Sequence, residues 1–333
     1  MTWLVWRQHR GESMAAALLL AILALIVLPS GLHLHQLEAT LSSSHCQGAN
    51  PKQTCAGALD AFNATSRAFT GLVPWLNLLP GLVGAFIGAP LVAREIEEGT
   101  WRLAWSQSVT RRRWFNSQMM AKSALVLLAT VIFTVVVTWW LTPLNHIDGR
   151  FASSAHGFDF YGAVPAAWAL LAFAIGILAG TLARRVVPAM AITFSAYLAI
   201  RLPVEFLLRP RYLPPVKLWG VEPSNTSPLG PNNWVFSQDL VAPNSHRILS
   251  ATQQDLVQHI AQAASPNPKN SGQDVQYLES LGHYLQTHGY TYVFTYQPAG
   301  RFWIFQGIET GICLILGLLA VAVARRCVLG RLT

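Results

Sequence analysis

Charge is scarce in this chain. Of its 333 residues only 11% are Asp, Glu, Lys or Arg, less than half the share of an ordinary soluble domain. Lysine is scarcer still, limited to Lys52, Lys122, Lys217 and Lys269. None follows a glycine-rich loop, and GxxxxGK[ST] does not occur, so the chain has no phosphate cradle of the type that NTP-hydrolysing proteins use. The ten histidines are scattered, with no HExxH helix and no nucleophile elbow. Metalloprotease and hydrolase chemistry therefore has no motif to rest on.

Apolar residues fill the gap: 52% of the chain is hydrophobic and the mean hydropathy is +0.36. They gather in six runs, Met14–Leu34, Pro74–Ala93, Ser123–Thr142, Ala163–Ala183, Val186–Leu208 and Phe302–Ala324. Each is long enough to cross a hydrocarbon core of ~30 Å. The first follows a basic start, as a signal peptide does, but it is too long for an h-region and lacks a small-residue cleavage site. It reads as a true span.

The net charge of +8 raises the question of nucleic acid, and its distribution answers it. Arg7, Arg10, Arg184, Arg185, Arg325, Arg326, Arg331 and six cations of segment 94–122 all fall on one side of the six runs. That side holds thirteen cations against four acids, the rest of the chain ten against eleven. This is the asymmetry of the positive-inside rule, so no nucleic-acid partner is expected. The sequence predicts an all-α polytopic membrane protein of six spans with both termini cytoplasmic. Residues 1–13, with Trp3, Leu4 and Trp6 beside Arg7, His9 and Arg10, read as an interfacial helix.

On the outer side, the first loop carries Cys46 and Cys55, nine positions apart. In an oxidising compartment the pair reads as a disulfide, worth ~2–3 kcal/mol against the unfolded loop; two free thiols are the alternative. A zinc site would lack companions beyond His45. Residues 1–208 thus form spans one to five, 209–300 an outer region, and 301–333 the last span and tail. The outer region opens proline-rich and then shows two helical patterns, Ser250–Ala264 and Gln273–Thr287, and an alternating stretch, Tyr290–Tyr296. A small, mainly helical domain is expected there, a folded cap by default and a substrate-handling lid as the other reading. Gly84 with Gly88, and Gly176 with Gly180, are small-xxx-small pairs that permit close helix approach.

The segment Arg94–Lys122 organises the rest. It reads REIEEGTWRLAWSQSVTRRRWFNSQMMAK and holds three acids and six cations between two spans. Gly99 and Thr100 break the preceding helix, and Thr100 can cap a new one. Trp101, Ala104 and Trp105 then fall at i, i+3, i+4, one apolar stripe. Arg111–Arg113 oppose the dipole of the next helix and suit anionic headgroups of membrane lipids. By residues alone this is either an ordinary interfacial loop or a docking surface.

Glu95, Glu97, Glu98, Gly99, Thr100, Trp101 and Arg102, followed by a helix and a basic cluster, resemble the loop after the second span of ABC-2 type transporter permeases. The six-span topology extends the resemblance over essentially the whole chain. WLVWRQHR and YQPAGRFWIFQGIE are similar to a branch common in actinobacteria. The resemblance implies that Glu95 to Arg102, with Trp105, rest on an ATPase subunit. It implies two such subunits carrying ATP and Mg, and two permease chains, either copies or close paralogues, in a bacterial cell membrane. No cofactor is expected on this chain, which would not be an enzyme itself.

Two intramembrane charges stand out. Glu309 lies about two turns into the sixth run and Arg201 about two turns before the outer end of the fifth. Charges at that depth are costly unless paired or wetted. The antiparallel runs put both at similar depth, so they are expected to pair or to face one wet vestibule, with Arg201–Glu205 as the competing local pair. The expected function is the permease subunit of an ABC exporter moving an amphipathic or hydrophobic substrate (drug, antibiotic or lipid-like) outward. The alternative is a membrane scaffold or sensor acting through its outer domain. A secondary transporter is disfavoured, because no internal repeat is found and Glu309 stands alone.

Overall fold

A computed structural model describes residues 2–43, 57, 61–67, 71, 73–98, 111–149, 151, 157–221, 229, 230, 232–243, 245, 247–263 and 282–330. Six of its helices are long and apolar enough to cross a membrane: Ala21–Ser42, Val73–Glu97, Phe115–His146, Val164–Ala183, Val186–Arg211 and Ala299–Gly330. They are numbered span one to span six.

Span one is the end of a single helix, Thr2–Ser43. The interfacial helix expected over residues 1–13 is therefore not a separate element. Gly11 alone costs a helix only about 1 kcal/mol, too little to force a break. At its other end the helix runs past Leu34 because its polar residues find partners on span three. His35 Nε2 lies 3.1 Å from the Trp139 carbonyl, and Glu38 lies 2.6 Å from His146 Nδ1.

Span two is interrupted. A turn at Asn77–Leu78 follows Val73–Leu76, and a π-helical turn at Gly84–Gly88 separates Leu79–Val83 from Ala89–Glu97. Tyr197 of span five fills the notch beside Gly81, and its hydroxyl donates to the Asn77 carbonyl at 2.6 Å. The broken helix thus regains a partner for one freed carbonyl.

Span four is the centre of the bundle, with most of its length buried. It meets span two backbone to backbone. A Cβ on Gly84 would collide with the Ala172 carbonyl, one on Gly176 with the Gly84 carbonyl, and one on Gly88 would lie 2.6 Å from the Phe173 carbonyl. The two small-xxx-small pairs therefore face each other in one seam, where dispersion gains from close approach. Toward the loop between spans two and three, Ala89, Ala93, Ala179 and Ala189 continue the seam and bring in span five. Spans four and five are joined by Arg184 and Arg185 alone, and Arg184 takes a left-handed conformation with φ 55° to close span four.

At the opposite end sits an antiparallel sheet of order β1-β3-β2, with β1 Val216–Val221, β2 Trp234–Val241 and β3 Thr291–Gln297. Helix Ala251–Ala263 and the strand at Thr291–Gln297 match the patterns read there; of the expected helix Gln273–Thr287, residues 282–287 are helical and the rest lies outside the described residues. Among the described residues, β1 and β2 add strands that were not expected. Gln297 is fully buried; its amide donates to the Leu213 carbonyl at 2.7 Å and accepts from Arg301 at 2.6 Å. Trp234, Phe151, Phe302 and Phe305 form an aromatic cluster that joins the sheet to spans four to six.

Candidate functional site

Beneath that aromatic cluster lies a buried group of charges. Phe158–Phe160 form a 3₁₀ turn just before span four, and the two phenylalanines are buried on either side of Asp159. Arg201 closes the regular part of span five. A π-helical turn, Val204–Leu208, follows it, and then Arg209. The wider turn, with i→i+5 bonding, brings two arginines eight residues apart to the same carboxylates.

Arg209 is forked over both acids. Its Nη2 lies 2.6 Å from Asp159 Oδ1 and 2.7 Å from Glu309 Oε1, and its Nε 2.8 Å from Glu309 Oε2. Arg201 adds Nη2 to Asp159 Oδ1 at 2.7 Å and Nη1 to Glu309 Oε1 at 3.2 Å. Trp168 Nε1 donates to Glu309 at 2.8 Å, and the guanidinium of Arg201 stacks over the Trp168 ring. The side chains of Asp159, Arg201, Arg209 and Glu309 are at most 4% exposed. Glu205, at the rim, approaches Arg201 Nε at 3.4 Å. Burial raises the pKa of Asp159, but the two guanidiniums outweigh it and hold the carboxyl below its ordinary value of 3.8.

The structure thus brings Arg201 and Glu309 together and adds two members the sequence reading left in outer loops, Asp159 and Arg209. Two cations against two inner carboxylates are neutral in sum, and each oxygen has a donor, as a buried ion network requires. Tied together are the turn before span four, span five and span six. Among the described residues no group of three or more His, Cys, Asp or Glu could hold a metal.

At the other end, Glu95, Glu97 and Glu98 close span two. Glu98 pairs with Arg94 of its own helix at 2.8 Å. Glu97 instead reaches across to accept from the backbone N–H of Val186, the first residue of span five, at 2.8 Å. Gly99, Thr100, Trp101, Arg102 and Trp105 lie outside the described residues, as do Cys46 and Cys55. Arg112 and Arg113 are exposed at the start of the helix that becomes span three.

A six-span bundle with a charged segment at one end and a buried ion network at the other has the build of a multi-pass transporter subunit. The chain belongs to the ABC-2 membrane transporter related family: the sequence model of that family matches residues 17–209. This interval takes in spans one to four, the loop after span two, and span five through Arg209. No curated protein and no solved structure matches the chain. Membership makes it a permease-type membrane component of an ABC transporter, a class that associates with an ABC ATPase.

Proposed function

We propose that the chain is the permease subunit of an ABC exporter in a bacterial cell membrane. Two copies, or one copy and a close paralogue, enclose a path for an amphipathic or hydrophobic substrate, and two separate ATPase subunits bind ATP and Mg. Both termini and the loop after span two are cytoplasmic, and the sheet is extracellular. The carrying observation is the position of that loop. It leaves span two at Glu98 and re-enters as the helix of span three at Arg111, at the end that also bears Arg184, Arg185, Arg325 and Arg326. That distribution supports a cytoplasmic face. The reading supplies the loop with a role: the segment that carries Gly99, Thr100, Trp101, Arg102 and Trp105 docks on the ATPase. Large apolar side chains exposed on spans two and five, among them Phe86, Leu202 and Phe206, support a wall suited to an apolar substrate.

ATP-driven closure of the ATPase pair would then push on the loop and tilt spans two and three, switching access from one face to the other. The test is co-purification of the tagged chain from its native membrane, as wild type and as Trp101→Ala/Trp105→Ala. The expected result is an ABC ATPase with the wild type and its loss with the double variant. Recovery of the wild type without any nucleotide-binding protein would refute the permease reading and favour the scaffold.

A further inference from the structure

We propose that Glu97 is a positioning residue whose carboxylate ties the base of the loop after span two to the start of span five, so that displacement of the loop is delivered to span five directly. The proposal rests on the permease reading above and concerns what lies between the docked loop and the far end of the bundle.

Three observations carry it. First, Glu97 Oε2 accepts from Val186 N–H at 2.8 Å, and Val186 is the first helical residue after Arg185. That N–H has no partner within its own helix. A carboxylate there gains a charge-assisted bond and the favourable end of the helix dipole. Second, the joint it holds is stiff. Spans four and five turn on two residues, one of them left-handed, and the loop ends of spans two, four and five pack through Ala89, Ala93, Ala179 and Ala189. Small side chains at backbone contact leave little slack to absorb a push. Third, span five leads somewhere. Fifteen residues beyond Val186 it carries Arg201, roughly 22 Å along a helix rising ~1.5 Å per residue, into the ion network with Asp159 and Glu309. A displacement entering at Glu97 therefore arrives at the contacts that fasten the sheet end.

Two variants cut the tie from opposite sides. Glu97→Ala removes the acceptor. Val186→Pro removes the donor at the first helical position, where proline is well accepted, and Arg185 already has the extended backbone a following proline needs, with φ −134° and ψ 138°. The full chain is purified with its ATPase, spin labels are placed at Leu25 and Val187, both exposed, through an unnatural amino acid, and their distance is read with and without ATP. The wild type and Glu97→Gln, whose amide oxygen still accepts, are expected to keep the ATPase and show an ATP-dependent change. Glu97→Ala, Val186→Pro and the double variant are expected to keep the ATPase and lose most of that change, the double no worse than either single. Variants that retain the wild-type change overturn the proposal, as does loss of the ATPase from them, which would make Glu97 a docking residue. A wild type that brings no ATPase fails at the earlier step and refutes the permease reading itself.

Discussion

Arg209→Met is the most demanding perturbation of the ion network. It keeps the stem and removes the fork that spans Asp159 and Glu309 at 2.6 to 2.8 Å. Arg201 alone then faces two carboxylates, leaving one negative charge uncompensated in a place where the side chains are almost fully buried. Removing one partner of a buried pair costs about 3–5 kcal/mol, whereas an exposed pair is worth roughly 0–1 kcal/mol. The measured loss therefore separates a dry structural tie from a wet vestibule. For a chain of this size the larger cost corresponds to a fall of roughly 4–7 °C in the unfolding midpoint. Thermal unfolding of the purified protein in detergent reads it. Asp159→Asn in the same chain restores the balance of charge, so Arg209→Met/Asp159→Asn should be less destabilised than the two singles added, by about 0.5–3 kcal/mol. A single variant within 1 °C of wild type, or strict additivity in the double, would refute the argument that these charges are buried and mutually dependent.

Gly176→Ala should loosen the bundle, because its Cβ meets backbone of span two; overpacking of this kind costs about 1–3 kcal/mol. Gly311→Ala, with nothing within 4 Å, should leave the unfolding midpoint unchanged or raise it slightly, and equal behaviour of the two would contradict the seam. Tyr197→Phe strips the Asn77 carbonyl of its donor and should cost about 1–3 kcal/mol by the same assay. The pKa of Asp159 is depressed in the fold, so its contribution is fully present above the ordinary value of 3.8 and is lost as pH falls through the lower folded value. Wild type should therefore lose stability more steeply than Asp159→Asn below about pH 4; parallel pH profiles would rule this out. Cys46 and Cys55 should be recovered as one linked pair in non-reducing peptide mapping of protein from its own membrane, two alkylated thiols being the contrary result.

The spans were legible because burial in lipid demands long apolar runs, and each run leaves its imprint on the sequence. Their ends were less so. His35 and Glu38 read as the start of a loop, yet the helix continues through them because span three supplies their partners. Glu309 was conspicuous as a lone acid in an apolar run. Asp159 and Arg209 were not, since both lie at the edge of a run, where charges are ordinary. Only the π-helical turn and the Phe158–Phe160 turn fold them inward. β3 carries the alternation of YTYVFTY, whereas β1 is embedded in a proline-rich stretch and owes its conformation to pairing with β3. Glu97 was singled out for the motif around it, but its bond to Val186 joins residues 89 positions apart, which no local pattern encodes.

β3 passes into span six through Pro298 and the three-residue turn Ala299–Arg301, braced by Arg301 on Gln297 and by the Ala299 amide on Asn233. Such a joint behaves as a weld, and the sheet becomes a pointer fixed to the helix. With seven residues at ~3.4 Å each, a tilt of about 10° in span six swings the tip of β3 by about 4 Å. The direction can also be reversed. A binder raised against the sheet would hold span six at one angle, giving a handle on the membrane helices that never has to enter the membrane.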